Sequence, residues 1–230
     1  MSLFFQGGGG AYSGLRHLWW AMDGGSGTSV PDLVGGVDGT IVGSNITWQS
    51  DHILSNNYAN DAERITLGTI AVNDFLTLSS GDWSILFRVD LVAYTTFGRV
   101  VAKSDGANGA NGYDIGQASA GGTHAAWTFS SNPSSASSYL LGEQTISHNY
   151  NSSTLDLSMF AFGANVTVDD WVYSSFGPPL NASTPMCLLN FNHSTARRFI
   201  GKLYYVAIFD RELTQTETED LHDTPSLLIS

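Results

Sequence analysis

Cysteine is almost missing from these 230 residues: Cys187 is the only one, which excludes a disulfide framework within the chain. It sits in the apolar run Met186-Cys187-Leu188-Leu189 and reads as a small buried hydrophobe rather than a reactive thiol. Basic residues are scarce too. Lys and Arg total 9 against 21 Asp and Glu, a formal net charge of -12, and an acidic surface of this kind repels phosphate backbones, so no nucleic-acid partner is expected. No apolar run reaches the roughly 18 residues of a membrane-spanning helix, so no membrane partner is expected either. The opening Met1-Ser2-Leu3-Phe4-Phe5-Gln6 has neither the basic start nor the apolar stretch of a signal peptide. The chain is therefore expected not to be exported, and the Asn-x-Ser/Thr triplets at Asn45, Asn151, Asn165, Asn181 and Asn192 to carry no sugar.

What is abundant favours strands and turns. The 12 Phe, 9 Tyr and 6 Trp sit among many Val, Ile and Thr, with 25 Gly to break them into short segments. The length is ample for a core without a metal or disulfide staple. Residues 1–14 read as a flexible N-terminal arm: Phe4 and Phe5 precede Gly7-Gly8-Gly9-Gly10, a tether with little intrinsic order. Residues 15–230 read as one β domain. In Trp83-Ser84-Ile85-Leu86-Phe87-Arg88-Val89-Asp90-Leu91 every odd position is apolar and three of the four even ones are polar, the period of a strand with one buried face. The segment 199–209, FIGKLYYVAIF, is apolar on both parities apart from Lys202, as suits a central strand covered on both faces. Further strands are expected at 15–22, 39–48, 64–68, 75–79, 98–104, 112–117, 124–130, 138–146, 155–163 and 185–191, divided by Gly, Asn, Asp and Ser clusters. The serine-rich stretch 130–138 reads as a loop. One short helix is expected after Thr214, because Thr214-Gln215-Thr216-Glu217 is a capping box, with Leu221 pinning the turn and Pro225 ending it.

Three segments, taken in order, resemble the laminin-G-like branch of the concanavalin-A-like superfamily. The first, residues 17–48, carries Trp19-Trp20, Asp23-Gly24, Pro31-Asp32-Leu33, Asp38-Gly39-Thr40-Ile41 and Trp48. The second is GDWSILFRVDL followed by VVAKSDGANGANGYDIG; the third is FIGKLYYVAIFDRELTQTETEDL. Residues 120–185 depart from the pattern, with His124-Ala125-Ala126-Trp127 standing where the family has Trp-His-His-Val-Ala. The resemblance implies a jelly-roll β-sandwich with one short C-terminal helix.

Catalysis is weighed because this superfamily contains glycoside hydrolases of the laminarinase type, whose Glu-x-Asp-x-Glu strand puts nucleophile and acid on one face. The only glutamates here are Glu63, Glu143, Glu212, Glu217 and Glu219, and none forms that pattern. No His-Glu-x-x-His, Gly-x-Ser-x-Gly or phosphate-cradling loop occurs, and the histidines at 17, 52, 124, 148, 193 and 222 are scattered. The chain is expected to be no enzyme and to need no cofactor. The resemblance allows a calcium ion at a rim, with Asp23, Asp32, Asp38, Asp105 or Asp169-Asp170 as sources of oxygen. A sugar platform would draw on Trp20, Trp48, Trp127, Trp171 or Tyr173.

Two functions fit. One is a structural component of a tailed-phage virion, a capsid decoration or surface protein. It would sit at the virion surface and be attached to other virion proteins or to copies of itself through Phe4, Phe5, Gly7, Gly8, Gly9 and Gly10. The other is a lectin domain for host or environmental glycans.

Overall fold

A computed structural model of the chain describes residues 12–56, 63–68, 81–93, 95, 98–104, 112–117, 123–128, 134–138, 141–163, 166–173, 184–190 and 197–230. The expected strands at 15–22, 64–68, 83–91, 98–104, 112–117 and 155–163 appear as β1 (Leu15–Trp20), β6 (Arg64–Leu67), β7 (Trp83–Ala93), β8 (Arg99–Ser104), β9 (Gly112–Gln117) and β13 (Asp156–Gly163). The segment 39–48 is two strands, β3 (Gly39–Val42) and β4 (Ile46–Trp48), because Gly43 takes φ +99° and turns the chain. Short strands β2 (Ser29–Val30) and β5 (Ile53–Ser55) complete this part. The expected strand at 75–79 lies outside the described residues.

In the middle of the chain the strands are β10 (Thr123–Thr128), β11 (Ser134–Ser138), β12 (Gly142–Asn151) and β14 (Val166–Tyr173). Within the serine-rich stretch, residues 134–138 are thus corrected from loop to strand: β11 pairs with β10, so backbone hydrogen bonding at a sheet edge overrides a poor strand composition. Asp169-Asp170 is likewise on β14, not in a loop. β15 (Met186–Leu188) and β16 (Ile200–Phe209) close the series.

These strands form two antiparallel sheets that pack as an all-β sandwich. One runs β14-β13-β12-β7-β16-β5-β4, with β1 also on β16; the other runs β11-β10-β9-β8-β15-β6-β3-β2. Between them lie the odd residues of β7, Trp83, Ile85, Phe87, Val89 and Leu91, as their period predicts. Opposite come Val101, Tyr113, Ile115, Ile65, Leu67 and Leu188. Each such side chain contributes about 1.5–3 kcal/mol by leaving water.

The outer face of the first sheet has its own cover. Helix α1 (Gln215–Asp223) and the 3-10 turn Pro225–Leu228 lay Leu221 and Leu228 on Leu86, Tyr205, Ala207 and Phe209. The capping box forms as expected: Thr214 Oγ1 accepts from Glu217 N at 3.2 Å, and the Glu217 carboxylate accepts from Thr214 N at 2.9 Å. β16 is accordingly buried on both faces, and Lys202, the one break in its apolar run, reaches Asp90 at 2.8 Å. Cys187 is fully buried, and burial pushes its thiol up to about 11, as fits an inert hydrophobe.

One core residue is out of character. His148 on β12 is 1% exposed and stacks on Phe87 with 6.0 Å between ring centres. Neither ring nitrogen meets a hydrogen-bond partner among the described residues. Burial disfavours the imidazolium and drives the pKa down to about 3. The unfolded chain, with an ordinary histidine near 6.5, takes up a proton between those values and the folded chain does not. Stability therefore falls as pH drops through that window, by about 2 kcal/mol at pH 5 for this group alone. Urea midpoints measured at pH 8 and pH 5 should show His148→Leu losing less on acidification than the parent protein. Equal losses would refute the assignment.

Candidate functional site

The β1–β2 connection, the β3–β4 turn and Trp48 enclose an open depression of about 410 Å³, within the size range of small-ligand sites. One wall is the loop 25–29. Gly25 lies flat against the indole of Trp48: a Cβ there would stand 2.7 Å from Cδ2 and Cε2, so only glycine allows the approach. The indole Nε1 donates to Ser29 O at 3.2 Å, and Ile41 N donates to Thr28 O at 2.7 Å, which ties the loop to β3. The ring is held by its edge and by one face.

The second wall is the turn at Gly43-Ser44-Asn45, and a buried carboxylate sets it. Glu63, 4% exposed, accepts from Asn45 N at 3.0 Å, from Asn45 Nδ2 at 2.8 Å and, at 3.4 Å, from Ser44 N. Any side chain at 43 would collide with Glu63, since a Cβ would lie 2.3 Å from its Cγ. The floor is Ile41 and Ile46, both part of the main core. Ser26, Thr28, Ser44 and Thr47, four hydroxyl-bearing residues, complete the lining. An aromatic surface beside neutral hydroxyls, on a rigid floor, suits a ligand with a ring of C–H groups and a fringe of hydroxyls.

Further along the chain, Asp32 organises the β2–β3 loop. Its carboxylate accepts from Leu18 N at 2.9 Å, Val34 N at 3.1 Å, Gly35 N at 3.0 Å and Val37 N at 3.0 Å, and meets His17 Nδ1 at 2.6 Å. Burial pushes this carboxyl up, but the hydrogen bonds from His17 and the backbone outweigh it and hold the group below the usual carboxylate range. His17 in turn stacks on Trp19 at 5.4 Å, whose Nε1 donates to Val37 O at 2.8 Å. Asp32 is thus a structural acceptor, already saturated.

A second buried polar group lies on β8 and β9. Arg99 and Asp114, both fully buried, approach to 3.2 Å, and Ser104 Oγ donates to Asp114 Oδ1 at 2.7 Å. Burial raises the Asp114 carboxyl, with Arg99 and Arg197 pulling it back. Beside it Lys103, 1% exposed, donates to Thr184 O at 3.0 Å. Sequence reasoning missed this cluster. Its members are spread over several strands, and only the sheet brings them together.

The other expected site residues scatter. Trp20 is 7% exposed, stacked on Tyr205 at 5.6 Å under the C-terminal helix, and is corrected from platform to core. Trp127 is on β10, and Trp171 and Tyr173 are on β14. Of the calcium candidates, Asp23 lies exposed in the β1–β2 connection, Asp38 accepts from Asp32 N at 2.9 Å, and Asp105 lies outside the described residues. Among the described residues no three His, Cys, Asp or Glu side chains converge as a metal would require. Phe4, Phe5 and Gly7 to Gly10 lie outside the described residues, as do all of residues 1–11. Among the described residues no helix is long and apolar enough to cross a membrane.

No protein-family model matches the chain, and no curated protein matches it in sequence. Solved structures do match in fold. The sialidase of Trypanosoma rangeli matches at a TM-score of 0.63 and 11% identity, over 94% of this chain and 33% of the sialidase. The chain thus spans about a third of those enzymes. Domain 4 of AbnA, a GH43 extracellular arabinanase from Geobacillus stearothermophilus, in complex with arabinotriose, matches at 0.63 and 14%, over 90% of this chain and 97% of that one. The binding domain of Botulinum neurotoxin DC, in complex with rat synaptotagmin II, matches at 0.65 and 10%, over 92% and 51%. At these identities the likeness establishes the sandwich fold alone. It also corrects the expectation that the chain is no enzyme, because several of the matching structures are sialidases. The missing Glu-x-Asp-x-Glu strand excludes one arrangement of acids, and other catalytic sets need no such strand.

Proposed function

We propose that this chain is a binding module whose ligand is carbohydrate, taken in the depression at Trp48. The carrying observation is the indole fixed by Gly25 and Ser29 beside the hydroxyls of Ser26, Thr28, Ser44 and Thr47. Such a surface lets a sugar ring lay its C–H face on the aromatic while its hydroxyls exchange hydrogen bonds with the rim. The fold shared with an arabinanase domain in complex with arabinotriose supports the reading. Attachment to a virion through the N-terminal arm is a second role compatible with it, since a particle-borne module also needs a ligand. That reading draws on the glycine-rich arm, whose residues 1–11 lie outside the described residues, and on the scarcity of cysteine.

Replacing Trp48 by Ala should weaken glycan binding by about thirtyfold, the effect of truncating a central aromatic contact. Trp48→Phe should restore part of it. Calorimetry against an oligosaccharide panel reads the affinity, and near-ultraviolet circular dichroism confirms that each variant is folded. Unchanged affinity in a folded Trp48→Ala protein would move the site elsewhere. Analysing the same mixtures for released sugars tests directly for turnover.

A further inference from the structure

Resting on the carbohydrate reading, we infer that the Trp48 depression selects uncharged sugar units and discriminates against sugars bearing a carboxylate. Its described lining contains no ionisable side chain: glycines, serine and threonine hydroxyls, two isoleucines and the indole make it up. Those hydroxyls donate and accept equally well, which matches a neutral polyol; an anion can use them only as donors and finds no counter-charge to offset the water it gives up. The buried side chain that braces one wall is a carboxylate. Glu63 lies directly under the Gly43–Asn45 turn, with its oxygens already taken by Ser44 N and by Asn45. A carboxylate entering above that turn gives up water and gains a repulsive neighbour.

No cation among the described residues lines the depression: Arg64, opposite Val42 in the sheet, donates to Thr66 Oγ1 at 3.2 Å. Arg16 is on Asp210, Arg88 on Glu143, Arg99 on Asp114, Lys202 on Asp90 and Arg211 on Glu217. The net charge of -12 adds a long-range repulsion of anions that salt screens. Selectivity here comes from withholding a counter-charge, a penalty on the wrong ligand rather than an extra contact to the right one.

The test is an array of paired neutral and acidic oligosaccharides, followed by calorimetry. It includes arabinotriose, galactotriose against trigalacturonate, and lactose against sialyllactose. The neutral member of a bound pair should bind at least tenfold more tightly than its acidic counterpart, with the gap narrowing as salt is raised. Ser26→Arg, which places a cation on the rim, should narrow the gap at fixed salt. Acidic members binding as tightly as neutral ones, or more tightly, would overturn the inference and leave the carbohydrate reading standing. Silence across the whole array would overturn that reading and the inference with it.

Discussion

Asp32→Asn is expected to lower folding stability by about 3 to 5 kcal/mol, the cost of breaking a buried charged hydrogen-bond group from one side. Four backbone N–H groups and the His17 ring converge on the two carboxylate oxygens. An amide has one acceptor oxygen and turns an NH2 toward donors that then lack a partner. Gly35 makes the loss hard to absorb: its Cα is packed so close to His17 that a Cβ would stand 2.2 Å from Nδ1, so the loop has no room to slide. Because the carboxyl titrates below its ordinary range when folded, its contribution is complete above about pH 4 and fades only in stronger acid. Urea denaturation at pH 7 checks the size, and a loss under about 1 kcal/mol would show the loop to be held by other means. Since the β2–β3 loop joins β3 to the wall that Ile41 N holds through Thr28 O, sugar affinity should fall along with stability.

The second large effect concerns Arg99 and Asp114. Asp114→Leu removes the carboxylate facing a guanidinium that is fully buried, and should cost about 3 to 5 kcal/mol. Adding Arg99→Met in the same chain should recover most of the loss, because two apolar side chains then replace two charges that each gave up water. The comparison of both single variants with the double variant isolates the coupling. A double variant as unstable as the sum of the singles would mean that the ion pair is incidental and that packing alone was lost.

The contrast between these two groups explains what could be read from the chain. Segments whose partners are local were legible. The alternation in 83–91 fixed which side chains of β7 face inward, and Thr214 with Glu217 announced the helix start. Trp48 was legible as one of five aromatic candidates, but only the approach of Gly25 and Ser29, some twenty residues upstream, distinguishes it from buried Trp20. The signals that failed are those set by neighbours far along the chain. Ser134–Ser138 has a loop's composition and becomes a strand because β10 offers it an edge. Arg99 and Asp114 meet only after a register shift between β8 and β9 that no spacing rule encodes. Glu63 gave no hint of its role under the Gly43 turn, since a lone glutamate before a strand carries no pattern.

β16 is held along one edge by β7 and along the other by β1 and β5 in turn, with hydrophobic layers above and below. The keystone of the first sheet is therefore also its last strand to leave the ribosome. A nascent chain halted before residue 199 has β7 and β1 with a gap between them, and their apolar edges stay exposed until synthesis has passed that point. Such an architecture makes completion of the sandwich wait for the synthesis of β16. Premature termination should yield aggregates, not a smaller folded fragment.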